Sequence, residues 1–189
     1  KKLFASLLII LCFFTTIKYH LRFNIERKFH ELNKVNFSTS VDAHLLSKEF
    51  KGLKWISPND EALSEINYIN SVKLILDNDI SNIMVVTNYS IFSVLTKRNV
   101  SSFSRWFAFD GSAFPLKNNK YYEKYKDFII STIKSKNIDN IYVLKDINDK
   151  FFLNYFDQNC INKKTENKMM KIYQINYNCK NVKNSGKKK

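Results

Sequence analysis

Few residues in this chain have the type and spacing to do chemistry, and most of them fall in one stretch, Ser104-Arg-Trp-Phe-Ala-Phe-Asp-Gly-Ser-Ala-Phe-Pro115. Arg105 and Trp106, side by side, offer a guanidinium and an indole that stack on and hydrogen-bond a sugar or a phosphate. Packing with a local ion pair is the competing reading. Asp110 is a candidate acid, but Gly111 after it makes a turn pair the plainer interpretation. A second group, Thr87-Asn-Tyr89 and Lys145-Asp146, follows two apolar runs. If those runs are strands, these residues lie beyond their carboxyl ends, where open α/β sheets bind ligands. Asn88 and Tyr89 are the binding candidates there.

Other chemistries lack their residues. There is no G-x-G-x-x-G, no Walker loop and no G-x-S-x-G elbow, and three glycines in all leave little scope for cradling phosphates. His20, His30 and His44 are too irregularly spaced for a metal site, and no Cys/His cluster accompanies them. No cofactor is expected. Of the three cysteines, Cys12 sits in an apolar segment, while Cys160 and Cys179 lie nineteen positions apart. In an oxidising compartment a disulfide between them would contribute roughly 3 kcal/mol on the chain-entropy model. Two free thiols are the alternative.

The elements that must position these residues begin with Leu3-Phe-Ala-Ser-Leu-Leu-Ile-Ile-Leu-Cys-Phe-Phe-Thr-Thr-Ile17, flanked by Lys1-Lys2 and Lys18. With its flanks the run is roughly long enough to cross a ~30 Å hydrocarbon core. A signal peptide shares the basic start and apolar run, but no small-x-small cleavage site follows, so a retained membrane helix is the better reading. Leu21, Ile25, Phe29 and Leu32 then recur at the helical period, giving a juxtamembrane helix with Arg22, Arg27 and Lys28 on its polar side. A short helix is expected over about 42–50, and a strand or tether over Leu53-Lys-Trp-Ile56.

Ser57-Pro-Asn-Asp60 reads as a helix start, with Ser at the N-cap and Pro at N1. Leu63, Ile66, Ile69, Val72 and Leu76 give that helix its buried stripe, to about Asp77. Ile83-Met-Val-Val-Thr87 reads as a strand buried on both faces, leading to a second helix with Ile91, Phe92 and Leu95. Residues 98–118 are irregular. A helix carrying Tyr121, Tyr122, Tyr125, Phe128, Ile129 and Ile133 follows, then a strand Ile141-Tyr-Val-Leu144, a short helix capped by Asn148, and a final edge strand over Met169–Tyr177. This order predicts an α/β fold: one N-terminal transmembrane helix, then a small three-layer domain with a mainly parallel sheet. The expected organisation is a transmembrane helix over 1–20, a juxtamembrane connection over 21–50, the α/β domain over 51–180 and a disordered basic tail over 181–189.

The net charge of +14 invites a nucleic-acid partner, but only four of the 31 basic residues are Arg and the lysines are scattered. The chain is rich in Asn, Ile, Phe and Tyr as well, so Lys reads as the default surface residue. No nucleic acid is expected. Lysines near a bilayer would instead meet anionic headgroups.

Several stretches together resemble a known type of protein: the apolar helix, a basic Lys18-Tyr-His followed by Arg27-Lys-Phe-His-Glu-Leu32, Leu53-Lys-Trp-Ile-Ser-Pro58, and Ser104-Arg-Trp-Phe107 with Asp110-Gly111, then Asn119-Lys-Tyr-Tyr122. They resemble the C-terminal ends of polytopic GT-C-type membrane glycosyltransferases of marine, Lys- and Asn-rich bacteria. The resemblance adds Lys120 and Tyr121 to the binding candidates. It implies a donor in the form of a polyprenyl-phosphate-linked sugar, with acidic catalytic residues in a first extracytoplasmic loop upstream of this chain, so no catalytic residue is assigned here. The chain would be the last transmembrane helix and a periplasmic accessory domain at the inner membrane. Its partners would be the lipid bilayer, the upstream transmembrane helices of the same protein, and a lipid-linked sugar or acceptor. The alternative is a single-pass membrane-anchored α/β binding or scaffolding module without catalysis.

Overall fold

The computed structural model describes residues 2–26, 35–57, 61–104, 107 and 114–179. The chain divides into two compact units, Lys1–Asn67 and Tyr68–Lys189.

The first unit opens with helix α1, Lys2–Tyr19, none of whose residues is buried. A π-helical segment, His20–Glu26, continues it, so that 22 residues from Lys2 to Phe23 are long and apolar enough to cross a membrane. A signal sequence near an N-terminus passes the same test. Where the apolar run ends, the Tyr19 and Phe23 rings stack at 5.6 Å. One turn apart on a helix, the two side chains share a face.

The helix expected over about 42–50 is replaced by two short 3₁₀ turns, Ala43–Leu45 and Lys48–Phe50. Ser47 caps the second, accepting from the Glu49 N–H. Gly52 then turns the chain with φ +88°, in the left-handed region that favours glycine. The turn brings strand β1, Val41–Asp42, against β2, Lys54–Trp55, in an antiparallel pair. Lys54 and Asp42 form an ion pair at 2.7 Å; both are exposed, so it adds little stability. The Trp55 indole N–H donates to Glu65 Oε2 at 2.8 Å, which ties β2 to helix α2, Ala62–Asn78. The expected cap residues Pro58, Asn59 and Asp60 lie outside the described residues.

The second unit is built on a four-stranded sheet of β3 (Ile83–Val86), β4 (Asn140–Leu144), β5 (Ile161–Glu166) and β6 (Met170–Ile175), in the order β3-β4-β6-β5. Helices α3 (Phe92–Leu95) and α4 (Tyr122–Ser135) lie on the connection between β3 and β4. That connection makes the two strands parallel, with Ile83 opposite Asn140 and Val86 opposite Val143. Every residue of both strands is buried, as the apolar runs Ile83–Val86 and Ile141–Leu144 require; Asn140, at the start of β4, is buried with them.

The sheet is mixed, not mainly parallel. β6 runs antiparallel to both β4 and β5. The cause is local: only three residues separate β5 from β6, and so short a link permits only a hairpin. Asn167 Oδ1 closes it by accepting from the Met169 and Met170 N–H groups at 2.8 and 2.9 Å. β6, expected as an edge strand, is therefore an inner one. The edge on that side is β5, whose sequence Ile-Asn-Lys-Lys-Thr-Glu is polar and mostly exposed and carries the lysines that discourage further pairing.

One sheet face presents Met84, Val86, Ile141, Val143, Tyr173 and Ile175 to the main core. Ile129 and Ile133 of α4 enter the same core, one helical turn apart. Phe107 and Phe114, from the irregular stretch, are buried there too. Phe103 stacks on Phe152 of helix α5 (Asp149–Leu153) with centroids 5.6 Å apart. Asn148 caps α5 through the Lys150 N–H. Cys160 and Cys179 are joined in a disulfide with Cα atoms 5.2 Å apart, and both are buried.

Candidate functional site

The parallel pair β3–β4 sets the site, because its two carboxyl ends stop side by side. Thr87 leaves β3 and Asp146 follows β4 by two residues. The Thr87 hydroxyl donates to Asp146 Oδ1 at 3.0 Å, and the Asn88 N–H donates to Asp146 Oδ2 at 2.6 Å. Thr87 Oγ1 also accepts from the Tyr89 N–H at 3.0 Å, which turns the chain away from the strand. Burial pushes the Asp146 carboxyl above its usual range, with the bonds from Asn88 and Thr87 opposing it. Asp146 thus works as a brace between two strand ends.

Asn88 has a second task. Its Oδ1 accepts from the Phe107 N–H at 2.7 Å, which pins residue 107 of the irregular stretch to the end of β3. Beside it, the Tyr89 ring meets Tyr68 at 6.1 Å and Phe92 at 6.4 Å. Lys145 Nζ sits 4.2 Å from the centre of the Tyr68 ring, a cation–π distance. The Tyr68 hydroxyl donates to the Met169 carbonyl at 3.1 Å, and burial raises its pKa.

A cleft of about 430 Å³ opens here, a size typical of small-ligand sites. Its wall carries the hydroxyls of Thr87, Tyr89, Ser90, Ser93, Ser102 and Ser104, with Val85, Phe92 and Val100 as apolar backing. The wall's far side is held by a backbone bridge, in which the Val85 N–H donates to the Ser101 carbonyl at 2.8 Å. That bridge covers the outer edge of β3.

Of the residues expected to bind ligand, Asn88 and Tyr89 are at this site, Asn88 through its bonds and Tyr89 in the cleft wall. Arg105, Trp106 and Asp110 lie outside the described residues. Lys120 and Tyr121 stand just before α4, where Lys120 Nζ lies 4.9 Å from the Tyr121 ring centre; neither lines the cleft. Among the described residues no group of three His, Cys, Asp or Glu side chains is placed to hold a metal ion. Sequence reasoning missed Ser93 and Ser102, since lone serines in a helix and a loop carry no signal until the bridge to β3 brings them together. No protein-family model, no curated protein and no solved structure matches this chain.

Proposed function

We propose that this chain is the C-terminal extracytoplasmic accessory domain, with the last transmembrane helix, of an integral-membrane glycosyltransferase that uses a lipid-phosphate-linked sugar donor. The observation that carries the reading is α1, an apolar helix with no buried residue, leading into a domain closed by the Cys160–Cys179 disulfide. An unburied apolar surface of that length needs lipid. A disulfide belongs to an oxidising compartment, which favours the periplasmic face of the inner membrane. Ser104 and Phe107, from one of the stretches that carry the resemblance, lie at the cleft wall and against Asn88, which supports a role in admitting donor or acceptor. Catalysis is assigned to the upstream part of the enzyme. The sugar and phosphate partners expected for Arg105 and Trp106 belong to the same proposal.

The test is the reading frame upstream of Lys1. Further apolar segments of about twenty residues, with an acidic pair in the first loop, are the expected finding. A start codon directly before Lys1 overturns it and leaves a single-pass anchored binding module. That alternative is favoured by one observation, the self-contained aromatic core of the second unit.

A further inference from the structure

Three hydroxyls at the cleft beyond β3 have their protons committed within the protein. The Ser93 hydroxyl donates to the Ser90 carbonyl at 3.0 Å and the Ser102 hydroxyl to the Ser104 carbonyl at 2.5 Å. The Thr87 hydroxyl donates to Asp146. Of the three oxygens, that of Thr87 is buried and takes the Tyr89 N–H, while the exposed Ser93 and Ser102 oxygens offer lone pairs to a ligand. Among the described residues no lysine or arginine lines the cleft, and the Asp146 carboxyl behind Thr87 has Lys145 acting on it as a nearby positive charge. Such a wall suits a neutral ligand that brings O–H donors of its own. Val100, partly exposed in the same wall, adds an apolar patch, with Val85 and Phe92 buried behind it.

We propose that this cleft binds a neutral sugar ring, through acceptor oxygens on Ser93 and Ser102, and does not bind its phosphate. The inference deepens the proposed function, on which it rests for its biological role: the cleft would hold the carbohydrate part of a substrate, while phosphate is handled elsewhere.

The experiment uses the full chain in an amine-oxide detergent, since a glycoside detergent would compete. Methyl glycosides of glucose, galactose, mannose and N-acetylglucosamine are titrated by saturation-transfer NMR, with inorganic phosphate as competitor. At least one glycoside should bind with a dissociation constant of order mM. Ser93→Ala and Ser102→Ala should each weaken it about fivefold, the loss of one hydrogen bond, with circular dichroism unchanged. Ser102→Thr, which keeps the oxygen, should retain binding, and phosphate should not displace the glycoside. Binding of none of the glycosides, displacement by phosphate, or unchanged affinity in both folded alanine variants overturns the proposal. These outcomes are independent of the upstream reading frame: sugar binding in a chain that starts at Lys1 keeps the cleft and discards the transferase, and the converse result does the reverse.

Discussion

Thr87 and Asp146 join the ends of two parallel strands through a hydroxyl–carboxylate hydrogen bond of 3.0 Å. The two residues are 59 positions apart in the chain, so the bond fixes the β3–β4 register at the mouth of the cleft. Thr87 is buried, and its hydroxyl donates to Asp146 alongside the Asn88 N–H. Thr87→Val keeps the shape and removes the donor. It should cost about 1.5–3 kcal/mol, the range for a hydrogen bond to a charged group, while Thr87→Ser should cost far less. Thermal unfolding of the three chains side by side measures both.

A second brace sits at the opposite ends of the same strands. Asp79 accepts from the Ser81 N–H and hydroxyl at 2.8 and 2.6 Å, from Tyr142 at 2.5 Å and from Asn140 at 3.1 Å. Burial alone would raise its pKa, but these bonds outweigh it and take the carboxyl down to about 2. A depressed folded pKa contributes stability that is present above the unfolded value, about 4, and is lost as pH falls through the folded one. Asp146 has the opposite sign: its folded pKa is raised, so protonation there relieves the fold. Between about pH 4 and pH 2, Asp79→Asn should flatten the acid loss of stability, and Asp146→Asn should not. Unfolding midpoints measured across that range decide between the two.

How much of this was legible beforehand follows from range. β3 and β4 are continuous apolar runs, and Asn148 caps α5 from one side chain to a neighbouring N–H; both are written within a few residues. The parallel pairing followed from the helices between the strands. β5 carries no local strand signal, because Asn162, Lys163, Lys164 and Glu166 give it no apolar alternation. Its existence rests on pairing with β6, and missing it made the sheet look parallel and β6 look like an edge. At the site, Asn88 and Tyr89 were visible from their position after a strand. The serine oxygens of the cleft depend on the Val85–Ser101 bridge, a contact no local pattern announces.

The disulfide closes the second unit. Cys160 precedes β5 directly, and Cys179 follows β6 by a short turn in which the Asn176 N–H donates to the Cys160 carbonyl at 2.9 Å. The bond therefore clamps the open end of the β5–β6 hairpin. A loop of 19 residues is worth about 3 kcal/mol on the chain-entropy model. Cys160→Ser with Cys179→Ser should lower the unfolding free energy by about that amount. Adding a thiol reductant should lower the melting temperature of the wild-type chain and leave the double variant unmoved. A wild-type chain indifferent to reductant would mean that the bond does not form.

For α1, the physical question is whether lipid or nothing covers it. Leu3, Phe4, Ile9, Ile10, Phe13 and Phe14 are all more than 60% exposed, and no charged side chain interrupts the helix between Lys2 and Lys18. As a retained membrane anchor, the segment should keep the chain in the membrane fraction through an alkaline carbonate wash. Ile10→Arg places a charge near the middle of the helix, at a cost of about 2.5–3.5 kcal/mol on insertion scales, and should release a large share of the protein into the wash. A cleaved signal sequence predicts something different: the mature chain would begin after the apolar run and be soluble whatever stands at position 10. N-terminal sequencing of the membrane-bound protein separates the two, since an anchor retains Leu3–Ile17 and a signal sequence loses it.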